Sequence, residues 1–141
     1  MKTVAYKLLP NLLISVHGKA PVSDDQFPEI LRIFRGLDFE NIRMLVVTEG
    51  GGPTPQQRSQ MTKALGGRQL RNAVVSDSML IRGIVTALSW FNPKIRSFRS
   101  DDLDGAMRYL GLAPARFDEV RAEVARLQAL LREQLGEPGP P

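Results

Sequence analysis

Three short stretches hold side chains whose types and spacing could do chemistry. The first is Glu49-Gly50-Gly51-Gly52-Pro53-Thr54. Glycines ahead of a helix can turn several backbone N–H groups toward an anion. A phosphate loop also needs a later Gly-Lys-Ser/Thr, and Pro53-Thr54-Pro55 supplies none while removing two donors. The favoured reading is a connecting loop into a capped helix, with Glu49, Gly50, Gly51, Gly52 and Thr54 kept as a candidate switch or anion site. The second stretch, Ser76-Asp77-Ser78, follows a strand-like run. Open parallel sheets bind ligands at such strand ends, although helix capping explains the same three residues. The third is His17, the only histidine. No cysteine, histidine or carboxylate cluster stands beside it, so the sequence proposes no metal site, and a strand-end histidine with a hydrogen bond is expected. Ser78 does not lie on a Gly-x-Ser-x-Gly elbow. With no paired acid and base either, the expectation is a non-enzyme without a cofactor.

The elements that position these residues are readable in order. Residues 3–9 and 11–17 are apolar runs broken by Pro10-Asn11, which reads as a hairpin. A helix is expected from Ser23–Asp25, with Asp25 the favoured cap, Pro28 in its first turn and Phe27, Ile30, Leu31, Phe34 and Leu37 inward. Residues 42–48 form a buried strand. Thr54, Pro55 and Gln57 then spell a capping box with proline at the first helical position, and Gly66-Gly67 a left-handed stop. The organising stretch is 72–111: a strand (NAVV), a helix (MLIRGIVTALSWF) capped by Asp77 or Ser78, a strand (KIRSF), and a helix (DDLDGAMRYLG) with Ser100 as cap. Strand–helix–strand of this length implies parallel neighbours and right-handed crossovers. Leu80, Ile81, Ile84, Val85 and Leu88 make the expected apolar stripe of the middle helix. Gly83 is read as a close approach to the sheet and Trp90 as partly buried.

The chain has 141 residues, with 43% hydrophobic and 24% charged, the balance of one globular domain. It has no cysteine, which fits a cytoplasmic setting. Pro10 and Asn11 interrupt the N-terminal apolar stretch, against a signal peptide, and no uninterrupted apolar run is long enough for a membrane span. The net charge of +4 is scattered. Lys94, Arg96 and Arg99, with Arg68 and Arg71, would make a basic edge, but without interleaved aromatics this reads as a guarded edge strand, and no nucleic acid is expected.

The order ββαβαβα, carried by NAVVSDS, MLIRGIVTALSWF, KIRSF and DDLDGAMRYLG, resembles the STAS superfamily (sulphate transporter and anti-sigma-factor antagonist domains), in its SpoIIAA-like branch. The resemblance covers about residues 3–111. It implies an α/β fold, a STAS-like mixed sheet of about five strands flanked by helices, in a bacterial regulatory module that acts by binding a protein partner. Switchable members carry an Asp-Ser pair at the start of the helix after the third strand. Here that place reads Glu49 to Thr54, so phosphoregulation by serine is not carried over, and Thr54 is the nearest hydroxyl.

Beyond that domain, 112–135 reads as a C-terminal helical extension and 136–141 as a disordered tail. Phe117, Val120, Val124, Leu127 and Leu131 recur at spacings of three and four, a narrow seam suited to self-association as a homodimer. The competing picture folds the same seam over its own sheet. The first-ranked function is a non-enzymatic cytoplasmic protein-interaction module. The alternative is a binder of a small anionic or lipid ligand at the strand C-terminal ends.

Overall fold

The computed structural model describes residues 2–135; the expected disordered tail, 136–141, lies outside the described residues. The hairpin is β1 (Val4–Leu9) and β2 (Leu12–His17), turned at Pro10-Asn11 with Asn11 at φ 57°. A short polar side chain tolerates that left-handed conformation, and a turn with proline as its first central residue and a positive φ at the second needs it. There follow α1 (Phe27–Arg35), β3 (Arg43–Thr48), α2 (Pro55–Leu65), β4 (Asn72–Val75), α3 (Met79–Ser89), β5 (Ile95–Phe98), α4 (Leu103–Tyr109), a 3-10 turn (Pro114–Arg116) and α5 (Phe117–Leu135). The sheet runs β1-β2-β3-β4-β5, with only the first pair antiparallel. This is the mixed five-strand α/β sheet expected from the sequence.

Because the parallel strands advance in one direction, the three crossover helices share one face. Side chains alternate across each strand, and the register shows how. Leu12, Ile14, Val16, Leu45, Ala73 and Val75 meet α4 and α5. Leu13 and Met44 meet α1 and α2, while Val74 and Ile95 meet α3. The α4/α5 face is the larger core.

That core absorbs the C-terminal seam. Phe117, Val120, Val124, Leu127 and Leu131 are all buried with the sheet residues of β1 and β2. The face expected to pair with a second copy is therefore covered by the chain's own sheet, and the break at 111 is not a packing boundary. A three-four apolar spacing suits a helix on a sheet as well as a helix on a helix. Arg121 ties α5 to α4 through Asp104, its Nε 3.0 Å from Oδ1.

Other expectations are corrected by long-range contacts. Helix α1 begins at Phe27, with Gln26 as its cap residue and no side-chain cap, so Asp25 does not cap it. The Gln26 amide is drawn to β1 instead: Oε1 accepts from the Thr3 and Val4 backbone N–H groups, and Nε2 donates to the Val4 carbonyl at 2.8 Å. Asp102, not Ser100, caps α4 by accepting from Gly105 N–H. Ser78 caps α3, and the Thr54–Gln57 capping box is present as read. In α3 only Val85 is fully buried, Ile84 and Leu88 are half-buried, and Leu80 is 71% exposed. Nothing lies within 4 Å of a Cβ added at Gly83, so that glycine serves no close approach. Trp90 is 80% exposed rather than partly buried.

Candidate ligand-binding cleft

Helices α1 and α2 pack on each other, whereas α3 leans toward β5. A cleft of about 730 Å³ opens in the sheet face between them. Its floor includes Val46 and Val74. Arg58, Met61 and Leu65 of α2 form one wall, and Leu80, Ile81, Ile84 and Leu88 of α3 the other. This volume is that of a small-molecule site, and such sites are apolar with a few placed polar groups.

Two polar atoms are buried beside the cleft. His17 Nδ1 and Asn72 Oδ1 are buried without a hydrogen-bond partner, and both residues line the cleft. The expected hydrogen bond on His17 is therefore not made at Nδ1. The ring is 6% exposed, and burial pushes its pKa down to about 4, so it stands neutral at pH 7. The sequence reading missed Asn72. Its signal was a polar residue heading a strand of otherwise buried positions. The cleft also had a signal: MLIRGIVTALSWF carries more apolar residues than one buried stripe needs.

The two candidate loops meet at the strand C-terminal end of this cleft. A Cβ on Gly50 would stand 3.9 Å from Ser78 Oγ. The glycine loop spends its donors on the chain itself: Gly50 N–H donates to Thr48 Oγ1 at 3.0 Å and Gly51 N–H to the Gly18 carbonyl at 2.8 Å. Thr54 N–H donates to Gln57 Oε1, and Thr54 Oγ1 accepts from Gln57 N–H. With these groups occupied, the loop shapes the cleft mouth and does not form an anion cradle. Gly51 also presses on the loop after β2, since a Cβ there would fall 2.0 Å from the Ala20 carbonyl oxygen. Glu49 is exposed.

Ser76 is buried and its Oγ accepts from Ser78 N–H at 3.1 Å. The Ser100 hydroxyl and N–H both donate to Asp77, and these bonds, the hydroxyl's first, hold its carboxyl below the usual range. A smaller, more polar cavity of about 410 Å³ lies over these strand ends, bounded by Lys19, Glu49, Asp77 and Arg132. His17 and Thr48 border both cavities. The seam residues of α5 stay on the opposite face, with only Leu131 reaching the smaller cavity. At the far edge, Arg71 and Arg96 stack on Tyr109, 5.4 and 5.6 Å from its ring centre, which uses part of the basic edge structurally.

This architecture is similar to that of a solved structure, an uncharacterised protein of the DUF3478 family with a SpoIIAA-like fold, from Shewanella loihica PV-4. The match has a TM-score of 0.55 at 16% identity, and covers 78% of this chain and 95% of that one. The fold is SpoIIAA-like. At this identity the likeness speaks for the fold alone. No family model matches the chain, and no curated protein does. The SpoIIAA-like sheet and its crossovers account for the floor and walls of the cleft. Among the described residues, no helix is long and apolar enough to cross a membrane.

Proposed function

We propose that this chain is a non-enzymatic, cytoplasmic binding module whose α2–α3 cleft holds an apolar, elongated small molecule. The observation that carries the reading is a cleft of about 730 Å³ with an apolar floor and two buried, unpartnered polar atoms. An open cleft of that size leaves its apolar lining facing water, and an apolar ligand removes that surface from water. Displacement of a dansyl-labelled undecanoic acid by dodecanol tests it. Saturable displacement is expected, and it is lost in Ile84→Trp, which fills the cleft from α3 while the circular-dichroism melt stays cooperative. Absence of saturable binding, or binding unchanged in a folded Ile84→Trp, overturns the reading.

A protein partner is the second reading, and one observation favours it. Met79 is 86% and Phe91 81% exposed, and with Leu80 and Trp90 they gather large apolar side chains on α3 and its end. Exposed large apolar side chains at the two ends of one helix are the kind of surface a protein partner covers. Under this reading Met79→Ser with Trp90→Ser abolishes capture of a partner from the native cytoplasm yet leaves dodecanol binding unchanged. Capture that survives both substitutions removes α3 from consideration.

A further inference from the structure

We infer that the cleft selects a single-chain ligand with an anionic head, a carboxylate or a phosphate monoester, seated on the Arg58 guanidinium at the cleft mouth. This rests on the apolar-ligand reading above and adds the head group. The charges around the cleft carry it. The lining includes Lys19, Arg58 and Arg68 and, among the described residues, no Asp or Glu. Its other polar side chains, Ser15, Thr62 and Gln69 among them, are uncharged. The smaller cavity beside it is mixed in sign, with Glu49 and Asp77 as well as Lys19 and Arg132. The single sign therefore belongs to the larger cleft and is not simply the chain's net charge of +4. A cleft with low-dielectric walls and one sign of charge draws the opposite sign and rejects its own.

Arg58 is the cation placed to meet a head. It is half-buried on the α2 wall, so a ligand can reach it. One Nη1 N–H donates to the Pro53 carbonyl at 3.0 Å, which holds the guanidinium beside the loop after β3, at the C-terminal end of the strands. A guanidinium has five N–H donors in a planar fork. Among the described residues this is the one side-chain hydrogen bond it makes, and no carboxylate pairs with it. The free edge has the shape that a carboxylate or phosphate takes side-on. Arg58 also stands in the opening turn of α2, which holds no acidic residue, so the positive end of the helix adds to its charge. The other two cations are placed differently. Lys19 is exposed. Arg68 precedes β4, at the opposite end of the strands, where it donates to the Leu65 carbonyl and stands 5.7 Å from the Phe39 ring centre. Arg58, Met61 and Leu65 follow at spacings of three and four, on one face of α2. A ligand headed at Arg58 therefore lays its apolar chain along Met61 and Leu65, opposite Ile84 and Leu88 of α3.

Titration calorimetry with dodecanoate, dodecyl phosphate, dodecanol and dodecylammonium tests this. The better of the two anions is expected to bind at least about tenfold tighter than dodecanol, the ratio a hydrogen bond to a charged group supplies, and dodecylammonium more weakly than dodecanol. Which anion is tighter assigns the head as carboxylate or phosphate. Arg58→Gln should bring the anion-to-dodecanol ratio to about one. Arg58→Lys should keep part of it, because the charge remains while the fork is lost. Arg68→Gln, at the other end of the cleft, should leave the ratio above about tenfold. The four-ligand comparison in the unsubstituted chain decides the sign of the head even if a variant fails to fold. A ratio unchanged in a folded Arg58→Gln overturns the seat on Arg58. Saturable binding in which neither anion is tighter than dodecanol or dodecylammonium overturns the anionic head and leaves the apolar-ligand reading standing. Binding by none of the four overturns that reading and the inference with it.

Discussion

The two faces of the sheet are built to different standards. Under α4 and α5, Leu12, Ile14, Leu45, Ala73, Met107, Leu110, Val120 and Leu127 form one continuous buried cluster. Over the other face the buried side chains fall into three smaller clusters, and a cleft opens between two of the helices. The strands are common to both faces, so the difference lies in the helices. Helix α5 spends a full stripe on the sheet. Helix α2 buries only Gln57, and α3 only Val85. A domain whose stability comes from one face can leave the other incompletely packed, and incomplete packing is what a binding site requires.

The sharpest way to break this comparison is to remove matched side chains. Leu127→Ala on α5 should cost about 2–5 kcal/mol in denaturant melts, whereas Leu80→Ala on α3 should stay within about 0.5 kcal/mol. Equal costs would mean that the two faces are packed alike.

Next is the pH dependence that His17 lends to the cleft face. Its pKa is about 4 in the fold, below the ordinary value of 6.5. The unfolded chain then binds the extra proton first, so stability is complete above pH 6.5 and falls as pH drops toward 4. The loss across that window is about 3 kcal/mol. Melts at pH 7.5 and 4.5 should differ by less in His17→Phe than in the unsubstituted chain. An unchanged difference would show that the ring is not buried neutral.

Third, α2 is held by its cap more than by burial. Thr54→Ala removes the capping-box acceptor and should cost about 1 kcal/mol. A cost near zero would shift the support of α2 to its half-buried apolar side chains. Smallest is Gly83→Ala. With open space at its Cβ and no positive φ, it should stabilise the fold by about 0.5–1 kcal/mol. A loss instead would place Gly83 against a neighbour and α3 closer to the sheet.

The strands, the parallel neighbours joined by crossovers and the Thr54–Gln57 cap were legible because each depends on stretches adjacent in sequence. The misreadings share another cause. Asp25 lost the α1 cap because Gln26 is committed to β1, and Ser100 lost the α4 cap because its hydroxyl serves Asp77. Both are contacts between residues more than twenty positions apart. The seam of α5 was visible, but periodicity states only that one side is apolar, not whether a sheet or a second chain covers it. The cleft was hidden for a related reason: a gap between two helices is a relation between elements, and only the excess apolar content of 79–91 hinted at it. Asn72 became interesting once the register placed it opposite Met44 on the cleft face.

The docking of α5 onto β1 and β2 also shapes how the fold closes. The sheet is a ladder in which every strand pairs with its neighbour in sequence. Helix α5 instead returns to the first rungs, and just before it Arg116 reaches the Pro10 carbonyl across a separation of 106 residues. Nearby pairings close small loops at little entropic cost, and this one closes a loop nearly the length of the domain. Until it closes, Leu12, Ile14 and Val16 present a bare apolar underside, so the last helix to dock is also the one that shields the nascent sheet from other chains.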